Sequence, residues 1–263
     1  MSASPGRRVQ DIDSARLALL NSGQAAAATL TECLAVDFAA LMEATLPDIG
    51  TQAIATMREA AAAGIAQRMR LAARLVREAL GPQAGDRLRK HSSDSVRGWT
   101  CFIVGAEDGM TLDQRLAAIR PLADDPHFGV REWAWMAVRP HLAADLDMAV
   151  SRLAGWSIDP SERIRRFTSE ALRPRGVWCA HIATLKKHPE IALPVLELLR
   201  SDPSVYVQNS VGNWLNDASK DQPDWVRAIC ARWQAESPVP QTTLICRRAL
   251  RVIDPKTRQG KRA

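Results

Sequence analysis

The sequence predicts an all-α chain, an α-solenoid of helix pairs, on three observations. The first is a repeated phrase. Asp125-Pro126-His127-Phe128-Gly129-Val130-Arg131-Glu132-Trp133 returns as Asp159-Pro160-Ser161-Glu162-Arg163-Ile164-Arg165-Arg166-Phe167 and as Asp202-Pro203-Ser204-Val205-Tyr206-Val207-Gln208-Asn209-Ser210, with a weaker copy at Ser93-Asp94-Ser95-Val96-Arg97-Gly98-Trp99. The strong copies start 34 and 43 residues apart, the period of helix pairs that bury their apolar faces only by stacking on neighbours. The second is composition: 46% of the 263 residues are hydrophobic, and Ala and Leu dominate over β-branched residues and the single Tyr, a balance that favours helix. The third is periodicity. Val130/Ala134/Ala137/Val138, Ile164/Thr168/Ala171/Leu172 and Val207/Val211/Trp214/Leu215 fall at i, i+4, i+7 and i+8, one face of a 3.6-residue helix and hence the expected core.

The elements follow in order. The chain reads as a single domain over 1–263, with about 1–12 and 254–263 expected to be disordered. From Asp13 to Leu46 the pattern is helical, with Thr31 as an internal cap and Pro47 as the stop. Residues 51–80 make an Arg-rich amphipathic helix or helix pair, closed by Gly81-Pro82. The weak repeat covers 91–106. Outer helices are expected at 111–122, 144–156 and 190–200, and inner ones at 126–139, 160–173 and 203–219. Each inner helix is expected to open with Asp as cap and Pro at its first position, because the carboxylate accepts orphan N–H groups and Pro has none to lose. A short extra helix at 177–187 accounts for the longer spacing, and helices at 223–235 and 240–253 close the array.

A second set of aligned positions lies two residues beyond the core set: Glu132/Met136/Arg139, Arg166/Glu170/Arg173 and Asn209/Asn213/Asn216. Stacked repeats line these up into a concave basic groove, the usual binding surface of such arrays. Arg97, Arg166, Arg173, Arg175, Asn213 and Asn216 are the candidate contacts to DNA, since the arginine fork matches phosphate. A net charge of +6 agrees with a nucleic-acid partner. The tail from Lys256 to Arg262 reads as a mobile end able to touch phosphates, or equally as a solvated terminus.

Several classes are disfavoured. No P-loop, GxGxxG, GxSxG or HExxH pattern occurs, and the five cysteines are scattered without metal spacing. No metal or cofactor is therefore expected. Cys179 and His181 lie two apart, but buried free thiols in a reducing cytoplasm are the simpler reading. No apolar run reaches the roughly 18 residues of a membrane span, and the N-terminus lacks the apolar core of a secretory signal.

Three acids are candidates for chemistry. Glu170, with Arg166 and Arg173 one turn to either side, reads best as an ion pair that orders two arginines. Glu132 lies beside Trp133 and Trp135, with pairing to Arg97 or Arg166 as its alternative. Asp217 is a catalytic candidate or a local backbone acceptor. Of the eight tryptophans, Trp214 falls on the core face. Trp178 follows Arg173-Pro174-Arg175-Gly176-Val177, where a chain reversal delivers it to the groove rim or packs it under the extra helix. An aromatic beside arginines suits stacking on a base or sugar and clamping a phosphate.

At Arg131-Glu132-Trp133-Ala134-Trp135, Arg173-Pro174-Arg175-Gly176-Val177-Trp178 and Val211-Gly212-Asn213-Trp214-Leu215-Asn216-Asp217, the chain resembles the HEAT-like-repeat DNA alkylation repair glycosylases, the AlkC/AlkD superfamily, on its AlkC side. The resemblance runs from about Leu17 to Ile253. It implies hydrolysis of the N-glycosidic bond of cationic N3- or N7-alkylpurines in double-stranded DNA, N3-methyladenine foremost, without a metal and without base flipping, by a cytoplasmic monomer in base excision repair. It makes Glu132 and Asp217 the acids at the lesion, Trp178 the aromatic at the lesion's backbone, and Arg166 and Arg173 phosphate contacts. Some relatives carry an additional C-terminal domain, whereas here only the basic tail follows Ile253. Two rivals stand beside this expectation: a non-catalytic scaffold binding DNA structure in the same groove, and a protein–protein adaptor.

Overall fold

The computed structural model describes residues 8–81 and 83–254. It is all-α: sixteen α-helices and no strand occur among the described residues. The chain clusters into two compact units, the first ending at Val138 and the second starting at Arg139. The expected disorder at 1–7 and 255–263, and the basic tail, lie outside the described residues. Arg8–Ile12 instead form a 3-10 turn at Val9–Asp11, closed by an Arg8–Asp11 ion pair of 3.2 Å.

Unit 1 contains α1 (Ser14–Asn21), α2 (Leu30–Ala35), α3 (Phe38–Thr45), α4 (Thr51–Glu59), α5 (Ile65–Leu80), α6 (Ala84–Leu88), α7 (Asp94–Ala106), α8 (Leu112–Ala123) and most of α9 (Phe128–Ala144). The stretch 13–46 expected to be helical forms three helices. Thr29, not Thr31, caps α2 by accepting the Glu32 N–H, and Asp37 caps α3. Residues 51–80 resolve as a helix pair. Leu41, Met42, Met69, Trp99, Ile119 and Val130 fill the core, with Phe38 edge-on to Trp99 at 5.7 Å.

Unit 2 contains α10 (Leu146–Trp156), α11 (Glu162–Ala171), α12 (Ala183–Lys187), α13 (Leu193–Leu199), α14 (Val205–Ala218), α15 (Pro223–Glu236) and α16 (Pro240–Leu250). All twelve residues of the expected core face are buried. Trp214 is sealed at 0% exposure, its indole N–H donating to the Leu172 carbonyl at 2.9 Å.

The Asp-Pro phrase does not cap its helices in the expected way. Ser161 and Ser204 are the N-caps of α11 and α14, and each Asp-Pro lies just outside. Asp125, Asp159 and Asp202 accept instead from the backbone N–H two residues on, at 2.7, 2.9 and 2.8 Å, as Asx turns. The turn is then latched by arginine. In unit 1, Arg97 donates through Nη1 to the carbonyls of His91 and Ser92, and through Nε and Nη2 to both oxygens of Asp125 at 2.8 and 3.1 Å. In unit 2, Arg165 does the same to Asp159 O, Pro160 O and the two oxygens of Asp202. In each unit one copy of the phrase thus supplies a guanidinium that fixes its own turn and fastens the next one, while the last copy has Gln208 at this position, donating to the Asp202 carbonyl at 2.8 Å.

Candidate functional site

Most of the expected site residues fall in unit 2. Arg166, Glu170 and Arg173 share one face from α11 into the turn that follows it. Glu170 is 3% exposed, and a buried carboxylate is stable only with partners. It has three: Ser210 Oγ at 2.8 Å, Arg173 Nη1 at 3.2 Å and Arg166 Nη2 at 3.4 Å. The Arg166 guanidinium also lies over the Tyr206 ring, 4.4 Å from its centroid. Arg173 turns its remaining donors on Asp217, with Nε and Nη2 reaching Oδ2 at 2.9 and 2.6 Å. Lys220 Nζ donates to Asp217 Oδ1 at 3.1 Å. The series Arg166–Glu170–Arg173–Asp217–Lys220 therefore alternates in sign along its length. Burial pulls the Arg173 pKa down, but Glu170 and Asp217 outweigh it and hold the guanidinium above its ordinary value. Arg173 is a permanent cation.

The loop from Leu172 to Ile182 carries Arg175 and Trp178. Arg175 makes a bidentate pair with Asp221 at 2.9–3.1 Å. Trp178 is 44% exposed and has φ +59°, a left-handed conformation that costs an L-residue on the order of 1–2 kcal/mol. It is exposed rather than buried under the short helix that follows. Helix α12 is shorter than the expected 177–187, and Trp178 lies ahead of it. The loop is fastened from inside by Arg139, which is 2% exposed. Its Nη1, Nη2 and Nε donate to the carbonyls of Ala171, Arg173 and Ala180. Burial lowers the Arg139 pKa, and three carbonyl acceptors replace the lost water. Gly176 is required here: a Cβ at that position would lie 2.1 Å from Cys179 Sγ.

The asparagine positions differ from expectation. Asn216 is 2% exposed and donates to the Ala249 carbonyl of α16 at 3.0 Å, so it holds two helices together and faces no ligand. Asn213 Oδ1 accepts from Arg248 Nε at 2.9 Å and Arg251 Nη1 at 3.0 Å. Helix α16 covers this part of the expected strip, and the cations there belong to α16. Sequence reasoning missed them. The available signal was Arg247-Arg248 and Arg251 in a stretch with no acid between Glu236 and Asp254.

In unit 1, Glu132 is half-buried and accepts the Trp135 indole N–H at 2.8 Å. Arg97, an expected DNA contact, has its guanidinium committed to the Asp125 latch and two carbonyls. That gives it a structural role, since moving it would leave a buried carboxylate unpaired. Among the described residues, no group of three or more His, Cys, Asp or Glu side chains could hold a metal ion, and no helix is long and apolar enough to cross a membrane.

No protein-family model matches the chain. Among solved structures, it aligns with Pseudomonas fluorescens alkylpurine DNA glycosylase AlkC bound to DNA containing an abasic site analog, at TM-score 0.67 and 25% identity, covering 95% of this chain and 65% of that one. The chain has the AlkC-like HEAT-repeat glycosylase fold. The smu.31 structure from Streptococcus mutans shares the fold at TM-score 0.60 and 21% identity, over 78% of this chain and 100% of that one. The Bacillus subtilis protein YhaZ is 40% identical over 117 residues, 44% of this chain and 32% of its own length. The AlkC-like fold thus occupies nearly all of this chain, whereas the chain spans only part of AlkC and of YhaZ. Within it, unit 2 brings Arg166, Arg173 and Asp217 into one network and places Trp178 on the loop that follows Arg173.

Proposed function

We propose that the protein is a DNA glycosylase that hydrolyses the N-glycosidic bond of cationic alkylated purines, N3-methyladenine foremost, in double-stranded DNA. The observation that carries this reading is the likeness to AlkC across 95% of the chain. An exposed tryptophan in left-handed backbone beside a carboxylate–arginine network supports it.

The chemistry fits these side chains. An alkylated purine already bears positive charge and departs without a general acid. The sugar left behind develops oxocarbenium character, which nearby negative charge stabilises. Asp217 is the proposed carboxylate of unit 2 and Glu132 that of unit 1; each by itself supplies the charge this step needs and can align the attacking water. Among the described residues, Arg173 leaves Asp217 Oδ1 to Lys220, whose side chain is 42% exposed and so easily displaced. Trp178 presents a π face to a cationic sugar from the backbone side, so the base remains stacked. Arg166 is the proposed phosphate contact, kept in place by Tyr206 and Glu170.

Incubation with methylated duplex DNA should release free N3-methyladenine; no release above background overturns the reading. Asp217→Asn should lower the single-turnover rate by roughly a hundredfold or more, in the range of losing one carboxylate that stabilises developing charge, while affinity for undamaged duplex stays within a few fold.

One observation favours a second reading, a non-catalytic DNA binder. Asp217 is 5% exposed and touched by two cations, which is also the geometry of a structural ion pair. Duplex binding without any base release would select it.

A further inference from the structure

The half-buried arginines of the latches and of the Glu170–Asp217 network face carboxylates, which cancel their charge. Arg248 does not. Its Nε donates to Asn213 Oδ1 at 2.9 Å and its Nη1 to Asn209 Oδ1 at 2.8 Å. A guanidinium only donates, so each asparagine must turn its carbonyl oxygen toward it. These neutral oxygens orient the head group and leave its full positive charge in place. The aliphatic stem is equally fixed. It lies on the bare backbone of Gly212, where a Cβ would come within 2.8 Å of Arg248 Cβ and 2.9 Å of Cδ. The head is exposed, Nη2 has no acceptor among the described residues, and Arg251 shares Asn213 Oδ1 at 3.0 Å. Arg247, next in the chain, is also exposed. Stem, head and charge together describe a built anion site.

We propose that Arg248, oriented by Asn209 and Asn213 and joined by Arg251, is a phosphodiester-binding site that grips the DNA backbone. The proposal takes the identity of the phosphate's carrier from the DNA reading above. Arginine's planar fork suits a phosphate with two free oxygens.

The decisive variant is Asn209→Asp/Asn213→Asp. It keeps both acceptors and their geometry but sets carboxylates against Arg248. Binding of an undamaged duplex oligonucleotide is read by fluorescence anisotropy over a salt series. Affinity at low salt should fall tenfold or more. The slope of log K against log salt should shrink by about 1–2, since each released phosphate contact contributes about 0.9. The thermal midpoint should hold or rise, which a merely structural role for the asparagines also allows; the salt slope is what such a role would not move. Arg248→Gln, which cannot misfold through buried charge, should show the same loss. Unchanged affinity and slope in both variants overturn the proposal, as does absence of wild-type binding to duplex.

Inorganic phosphate at matched ionic strength separates the sources. Failure to displace the duplex supports the DNA backbone, whereas full displacement overturns it in favour of a free-phosphate site. Base release from methylated DNA is scored separately. A protein that binds duplex through Arg248 but releases no base refutes the glycosylase reading alone. One that releases base but ignores the variants refutes this site alone.

Discussion

Trp178 holds a backbone conformation that glycine adopts freely and tryptophan does not. Such strain persists only where the surroundings fix it, and Arg139 and Gly176 do so here. Trp178→Gly should therefore be more stable than Trp178→Ala by about 1 kcal/mol, measured by urea unfolding. Both should lose most excision, because both lose the indole. Much of the network around it was legible in the sequence: Arg166, Glu170 and Arg173 read as one face, and Glu170 as the acid ordering two arginines. The asparagines have helix partners that the sequence does not announce, for a physical reason. Short polar side chains on an aligned strip look open to a ligand in sequence, but a glycine among them lets another helix approach. Gly212 admits the Arg248 stem, and that approach makes Asn213, expected as a ligand contact, and Asn209 on the same strip supports for an arginine.

At the scale of elements, the repeats were legible and their boundaries were not. Asp202 and Ser204 are both good caps, and Pro203 fits either register; the serine wins because the aspartate is drawn into a turn and a bidentate pair with Arg165 of the preceding repeat copy. No local pattern encodes that distant partner. The loop from Leu172 to Ile182 was likewise expected to begin a helix at 177. It stays irregular because its carbonyls already have a donor: from α9 the Arg139 guanidinium serves those of Arg173 and Ala180, and that of Ala171 just ahead of the loop. Arg139→Ala strands those carbonyls and opens a cavity, which should destabilise the protein by about 3 kcal/mol. Arg139→Lys, lacking the fork, should recover little of it. Limited proteolysis of the variant should cut first between Arg173 and Ile182.

At the scale of the whole molecule, two carboxylates set the response to acid. Glu32 takes hydrogen bonds from Arg16 at 3.2 and 2.7 Å, which hold its pKa below the ordinary 4.5 against the opposing effect of burial. Burial raises Glu197, but Trp233, Arg200 and Arg232 outweigh it and the net shift is again downward. A carboxyl with a depressed folded pKa contributes stability that is full above its unfolded value and lost as pH falls through the folded one. Urea midpoints should hold from pH 7 to about 5 and then decline steeply. Glu32→Gln and Glu197→Gln should each lower the neutral plateau and flatten the acid limb; an unchanged limb in both would remove them as its cause. The two carboxylates lie in different units, so each variant reports on its own half of the chain.

Trp178 also gives the molecule an optical signature. Of eight tryptophans, Trp99, Trp133, Trp135, Trp214 and Trp233 are buried, Trp156 and Trp225 are intermediate, and Trp178 alone is exposed. Its emission should lie at the red edge of the intrinsic spectrum and yield first to acrylamide. A nucleobase or sugar arriving against that ring would shield it from the quencher and shift the band. Occupancy of the candidate site can thus be followed in the unlabelled protein, by light from one residue.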